Sequence, residues 1–119
     1  MKRDMDLVRA ILMEVEKHSA GFAPSEMKID GYTPDQIAYH AHIMGQAGLV
    51  NAIDVTHMGS AGPEAMVSSL TWQGHEFLDA AREPTRWAQA KALVAKSGAA
   101  SMQVWLEVLT DLVKKSLGV

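Results

Sequence analysis

The stretch Ile37-Ala38-Tyr39-His40-Ala41-His42-Ile43-Met44-Gly45-Gln46-Ala47-Gly48-Leu49-Val50 changes its period once, and that change decides the fold. Ile37, Ala41, Met44 and Gly48 recur at helical spacing and define one face. From Leu49 to Val55 the chain instead alternates in the manner of a half-buried strand. Gly48 stands between the two, where a left-handed residue would end a helix. Upstream, Thr33-Pro34-Asp35 is a helix start: Thr33 can cap, Pro34 fits the first turn, and Asp35 sits near the positive end of the dipole. Downstream, Met58-Gly59-Ser60-Ala61-Gly62-Pro63 is rich in turn formers, and Ala65 to Leu70 can return antiparallel. The reading is a helix from Thr33 to about Ala47, followed by a two-stranded hairpin.

Helices flank this unit on both sides. Asp4 can cap a first helix to about His18, with Val8, Ile11, Leu12 and Val15 on one face. Ser19 to Glu26, with Gly21 and Pro24, reads as a loop, and Met27-Lys28-Ile29 as a short strand before the Asp30-Gly31 turn. Thr71 caps a helix from Trp72 to about Arg82. Pro84 interrupts it, and a second helix runs from Thr85 to Lys96. Ser101 caps a last helix whose apolar set is Val104, Trp105, Val108, Leu109, Leu112 and Val113. The expected fold class is mainly α with a small β-hairpin. The expected core is Val8, Ile11, Leu12, Ile37, Ala41, Met44, Leu49, Leu70, Trp72, Phe77 and Leu78.

At 119 residues the chain suits one domain with a single core. It has no cysteine, which removes disulfides, thiolate zinc sites and a Cys nucleophile. No apolar run approaches the ~20 residues that span a bilayer, and the charged start, Met1-Lys2-Arg3-Asp4-Met5-Asp6, is unlike a secretory signal. A cytoplasmic protein without membrane contact is expected. The net charge of −3 is unevenly spread. Residues 1–28 balance. Residues 29–81 hold six acids (Asp30, Asp35, Asp54, Glu64, Glu76, Asp79) and neither lysine nor arginine. Residues 82–119 hold six bases against three acids, so any footprint for an acidic partner lies at that end.

The opening Met1-Lys2-Arg3-Asp4-Met5-Asp6-Leu7-Val8-Arg9 resembles an uncharacterised bacterial and phage family. So do Ile37-Ala38-Tyr39-His40, Ala47-Gly48-Leu49-Val50 and the run from Leu70 to Ala80. The family has a domain-of-unknown-function label, and the resemblance covers nearly the whole chain. It implies a winged-helix-like core over residues 1–82 with a C-terminal helical extension over 83–119, and a phage or prophage setting. It brings neither an activity nor catalytic residues. The second half is also similar to winged-helix regulators, in which a helix ends in Ala-Gly-Leu-Val, a wing follows, and a Leu-Thr-x-x-Gly turn starts the next helix. Two departures stand out. No clear second helix precedes Thr33, and the outward positions, rich in Arg and Lys in those regulators, are here Tyr39, His40, His42, Ile43 and Gln46.

Those five residues are the candidate partner-binding face. Aromatic, His, Ile and Gln side chains without lysine suit a protein surface better than phosphate; an ordinary solvated face is the plain alternative. Arg82, Arg86, Lys91 and Lys96 are the candidate nucleic-acid contacts, with Trp87 among them. His40 and His42 point about 200° apart on a helix and cannot share one ion, and a third ligand such as His57 or His75 would have to arrive from elsewhere. No metal, cofactor or small-molecule substrate is expected. Neither a nucleophile turn nor a phosphate-cradling glycine run is present, so an enzyme is not expected. The function expected is binding of a protein partner or of a second copy. The alternative is a DNA-binding regulator that docks through its C-terminal basic face or as a dimer.

Overall fold

The computed structural model describes residues 1–18, 21–98 and 100–118. Among them the order is α1 Met5–Glu16, α2 Pro34–Gln46, β1 Val50–Asp54, β2 Ala65–Leu70, α3 Trp72–Ala81, α4 Pro84–Ser97 and α5 Met102–Ser116. The protein is mainly helical with one antiparallel hairpin, as the periodicity implied. It comprises two compact units, Met1–His75 and Glu76–Val119. The division falls inside α3.

In the first unit, each element starts and stops for a local reason. The Asp4 carboxylate accepts from the Leu7 amide at 3.2 Å and caps α1. Leu7, Val8, Ile11, Leu12 and Val15 form its buried stripe. Thr33 and Gln36 close a reciprocal capping box on α2, with Pro34 in the first turn. The helix ends on Gly48 at φ +76°. Gly48 N–H donates to the Gly45 carbonyl and Leu49 N–H to that of Met44, while Met44 and Leu49 are both buried. That pair of bonds, with its apolar contact, turns the chain directly into β1.

The strands pair Val50 with Leu70, Asn51 with Ser69, Ala52 with Val67, Ile53 with Met66 and Asp54 with Ala65. Ser68 is the extra residue of a bulge opposite Asn51 and Ala52. Its hydroxyl donates to the Asn51 carbonyl, and its own carbonyl accepts from Ala23 N–H at 2.8 Å. The hairpin then joins α3 through Thr71. The Thr71 hydroxyl donates to the Gly48 carbonyl and accepts from Gly74 N–H, and Thr71 N–H donates to the Leu49 carbonyl.

Three expectations need correction. Met27-Lys28-Ile29 is not a strand: the Ile29 carbonyl accepts from Tyr32 N–H in a turn, and the backbone bond to β2 comes earlier, from Ala23. (Ser19 and Ala20 of the preceding loop lie outside the described residues.) Leu70 is only half-buried. Trp72 is 80% exposed. The buried side of α3 is Gly74, Phe77, Leu78 and Ala81, and at about 100° per residue Trp72 falls on the opposite side.

In the second unit, the Glu83 carboxylate accepts from the Thr85 and Arg86 amides and caps α4, while Gly98 at φ +75° ends it. Both bonds favour the ionised form and hold the Glu83 carboxyl below its ordinary range. Trp87 stacks on Trp105 with centroids 5.0 Å apart and meets Phe77 edge-on at 6.3 Å. With Leu78, Ala81, Ala90 and Leu109 these rings are the unit's buried residues. The other apolar residues expected on α5, namely Val104, Val108, Leu112 and Val113, are half-buried.

Candidate functional site

The α2 helix buries Ile37, His40, Ala41 and Met44. Of the five residues expected on its outward face, Gln46 is exposed, and Tyr39, His42 and Ile43 are half-buried. His40 is not on that face. It keeps only 1% of its surface, and both ring nitrogens are engaged. Its Nε2 accepts from the Asp4 amide at 2.9 Å, so Nδ1 carries the proton and donates to the Gln36 carbonyl at 2.8 Å. One tautomer of a neutral imidazole satisfies both bonds. Its position on α2 follows the same logic: it lies three residues after Ile37 and four before Met44, on the buried stripe.

His40 is one member of a polar joint. Asp4 caps α1 with one carboxylate oxygen, and its other oxygen accepts from the Tyr32 hydroxyl at 2.9 Å. Partial burial, then the Asp4 carboxylate beside it, raises the Tyr32 hydroxyl above its ordinary pKa. The joint ties the start of α1, the turn before α2 and the middle of α2 together. Sequence reasoning read Asp4 as a cap alone and did not find Tyr32. The Asp4 and His40 positions are 36 residues apart, and no periodicity links them.

The remaining α2 surface is bordered by the hairpin. A Cβ on Gly45 would stand 3.2 Å from that of Ala52, so α2 and β1 approach closely there. Asp54 also lies near His42. Its carboxylate accepts from the Thr56 amide at 2.8 Å; those Thr56 bonds first, and His42 to a lesser degree, hold it below the ordinary carboxylate range. The surface thus combines Tyr39, His42, Ile43 and Gln46 with an ionised acid at its border.

The hairpin tip carries His57, Ser60 and Glu64, residue types that could suggest a nucleophile relay. The geometry argues otherwise. The Ser60 hydroxyl meets His57 Nδ1 at 2.9 Å, and Glu64 approaches the same nitrogen at 4.0 Å. A relay needs the acid and the nucleophile on opposite nitrogens. Ser60 also accepts from the His57 amide, which makes this a turn contact. Among the described residues no group of three or more His, Asp or Glu is placed to hold a metal ion.

The basic candidates do not form one stripe. Arg82 pairs with Asp79 at 2.6 Å. Arg86 is half-buried and donates to the Ala80 carbonyl at 3.1 Å, closing the end of α3. Along α4, Arg86, Lys91 and Lys96 are spaced five apart, about 140° at each step. Trp87 is buried against Phe77 and Trp105, so it offers no stacking platform.

Among the described residues no helix is long and apolar enough to cross a membrane. The chain matches a family described as "Hypothetical protein (DUF2513)" over residues 2–100, from the Asp4 joint to beyond the end of α4. It is similar to an uncharacterized protein of Haemophilus influenzae, with 34% identity over 121 residues, 98% of this chain and 99% of the relative. No solved structure matches it. With that family matched over residues 2–100 of its 119, the chain belongs to the DUF2513 family.

Proposed function

We propose that this chain is a cytoplasmic, non-enzymatic binding protein with a winged-helix-like core, in a phage or prophage setting, and that its ligand is another protein. The observation that carries the reading is the charge of the α2 surface. Tyr39, His42, Ile43 and Gln46 are bordered by Asp54, and residues 29–81 contain no lysine or arginine. A DNA-reading helix draws affinity from cations, about 0.9 of salt slope for each phosphate neutralised. This surface offers no permanent cation. Aromatic and apolar groups without lysine are instead the composition of a protein interface core. The order of helix, hairpin and helix supports the winged-helix reading, with α2 in the place of the reading helix.

The alternative, a DNA-binding regulator docking through the C-terminal basic residues or as a dimer, has less to draw on. Arg82 and Arg86 are engaged around the end of α3, and the α4 cations are dispersed. A duplex-DNA titration near neutral pH and ~150 mM salt, with Tyr39→Ala and His42→Ala beside the wild type, tests the proposal. No saturable binding is expected, while a photo-crosslinker at Ile43 should capture a discrete protein. Tight, sequence-selective DNA binding lost in either variant would overturn the proposal. DNA binding lost on changing Lys91 or Lys96 would establish the alternative.

A further inference from the structure

We propose a second binding surface, independent of the α2 face: the outer edge of β2 and the groove beneath it take an extended peptide of a partner protein, apolar in alternation and basic at its flank. The groove has a volume of about 210 Å³ and lies wholly within the first unit. Ile37, Ala38 and Ala41 of α2 form its floor, Ala65 and Val67 one wall, and the segment from Pro24 to Met27 the other.

Pairing parity leaves this strand edge open. Val55 N–H donates to the Glu64 carbonyl at 3.0 Å, which makes that pair hydrogen-bonded. In this register the peptide groups of Met66 then turn toward β1, and those of Ala65 and Val67 turn away. Among the described residues, neither Ala65 nor Val67 makes a backbone bond outside the hairpin. The segment after α1 touches β2 at one point. Ala23 N–H reaches the Ser68 carbonyl, and the segment then diverges from β2, opening the groove. An added strand would pair with these outward peptide groups. Val67 and Ala65 recur every second residue and would present pockets to alternate side chains of that strand.

Charge selects the occupant. Glu26 is the charged residue on the lining, and Asp35 adjoins Pro34. Lys28 meets Glu26 at 3.8 Å through two largely exposed side chains, so that pair is readily exchanged. A second copy docking edge to edge would bring these acids against their own kind. A strand flanked by lysine or arginine would meet them with opposite charge.

The test uses the full chain and three fluorescent hexapeptides. The first alternates valine and threonine with a lysine at each end; the second replaces the lysines with glutamates; the third N-methylates the amides that would face β2. The first should bind and slow hydrogen exchange at the Ala65 and Val67 amides. The other two should bind about tenfold more weakly or worse. Val67→Pro, which removes one outward N–H, and Ala38→Trp, which fills the floor, should each weaken the first peptide about tenfold. The second variant keeps the test decisive should the first disturb the hairpin. No binding of the lysine peptide, binding indifferent to N-methylation, or exchange protection produced by self-association alone would overturn the proposal.

Discussion

Gly74→Ala sets two physical effects against each other, and the structure decides the sign. Gly74 lies in the first turn of α3 and is buried. Alanine at a helical position ordinarily stabilises by about 0.5–1 kcal/mol relative to glycine. Here an added Cβ would overlap the carbonyl oxygen of Leu49 and stand 3.0 Å from its carbonyl carbon. That oxygen already accepts from Thr71 N–H, while Gly74 N–H donates to the Thr71 hydroxyl at 3.0 Å. The obstacle is backbone, with no rotamer to change, so α3 must lift away from the hairpin start. Overpacking costs about 1–3 kcal/mol where side chains can yield, and backbone contact belongs at the top of that range. After the propensity gain, a net loss of about 2 kcal/mol is expected, a sizeable share of the roughly 5–15 kcal/mol that holds a small domain folded. Urea titration should show a lower midpoint at unchanged slope, with faster exchange at the Thr71 and Gly74 amides, whose bonds meet at this contact. Gly62→Ala is the control, since nothing stands within 4 Å of its added Cβ; it should be near neutral. Gly74→Ala as stable as wild type, or more stable, would refute the steric argument.

Two further outcomes follow from the polar joint and the tryptophans. The Tyr32 hydroxyl keeps its proton to higher pH in the folded state than in the unfolded chain. Its contribution is therefore complete below the ordinary tyrosine value of 10.0 and lost as pH rises through the raised folded value. Tyr32→Phe should lower stability at neutral pH by about 1–2 kcal/mol, through loss of the bond to the Asp4 carboxylate, and flatten the alkaline limb of a melting-temperature profile; an unchanged alkaline limb would show the joint to be absent. Trp72 is 80% exposed, whereas Trp87 and Trp105 keep 4% and 6%. Iodide should quench one tryptophan component, and Trp72→Phe should abolish that component while leaving the melting temperature within error of wild type.

The legible parts of the fold were those governed by neighbours in sequence. The Thr33-Pro34 start, the Gly48 stop, the β2 return from Ala65 to Leu70 and the Ser101 cap each depend on residues a few positions apart, and each appears where the pattern put it. What sequence missed depends on partners fixed only by tertiary structure. Met27-Lys28-Ile29 has adequate strand character, but the segment meets β2 earlier, through Ala23, and then turns at Ile29–Tyr32. Trp72 looks like core by its type; whether it is buried is decided by the side of α3 on which Gly74 permits close approach to Leu49. His40 has the opposite history. Its type suggested an exposed or functional residue, and its helical phase, shared with Ile37 and Met44, pointed inward. Phase prevailed because the Asp4 amide and the Gln36 carbonyl supply both bonds a neutral imidazole requires. The same fact changes how the recognisable motifs should be read. The opening around Asp4 and the Ile37–His40 run, separate in sequence, are two halves of one joint. The Ala47–Val50 and Leu70–Gly74 runs likewise meet through the Thr71 hydroxyl, the Gly48 carbonyl and the Gly74 amide. Residues that make these motifs recognisable are therefore accounted for by architecture. The proposed functions rest instead on groups at the margin of those joints: Tyr39, whose ring meets His40 edge-on, with His42, Ile43 and Gln46 on α2, and the outward peptide groups of Ala65 and Val67 on β2.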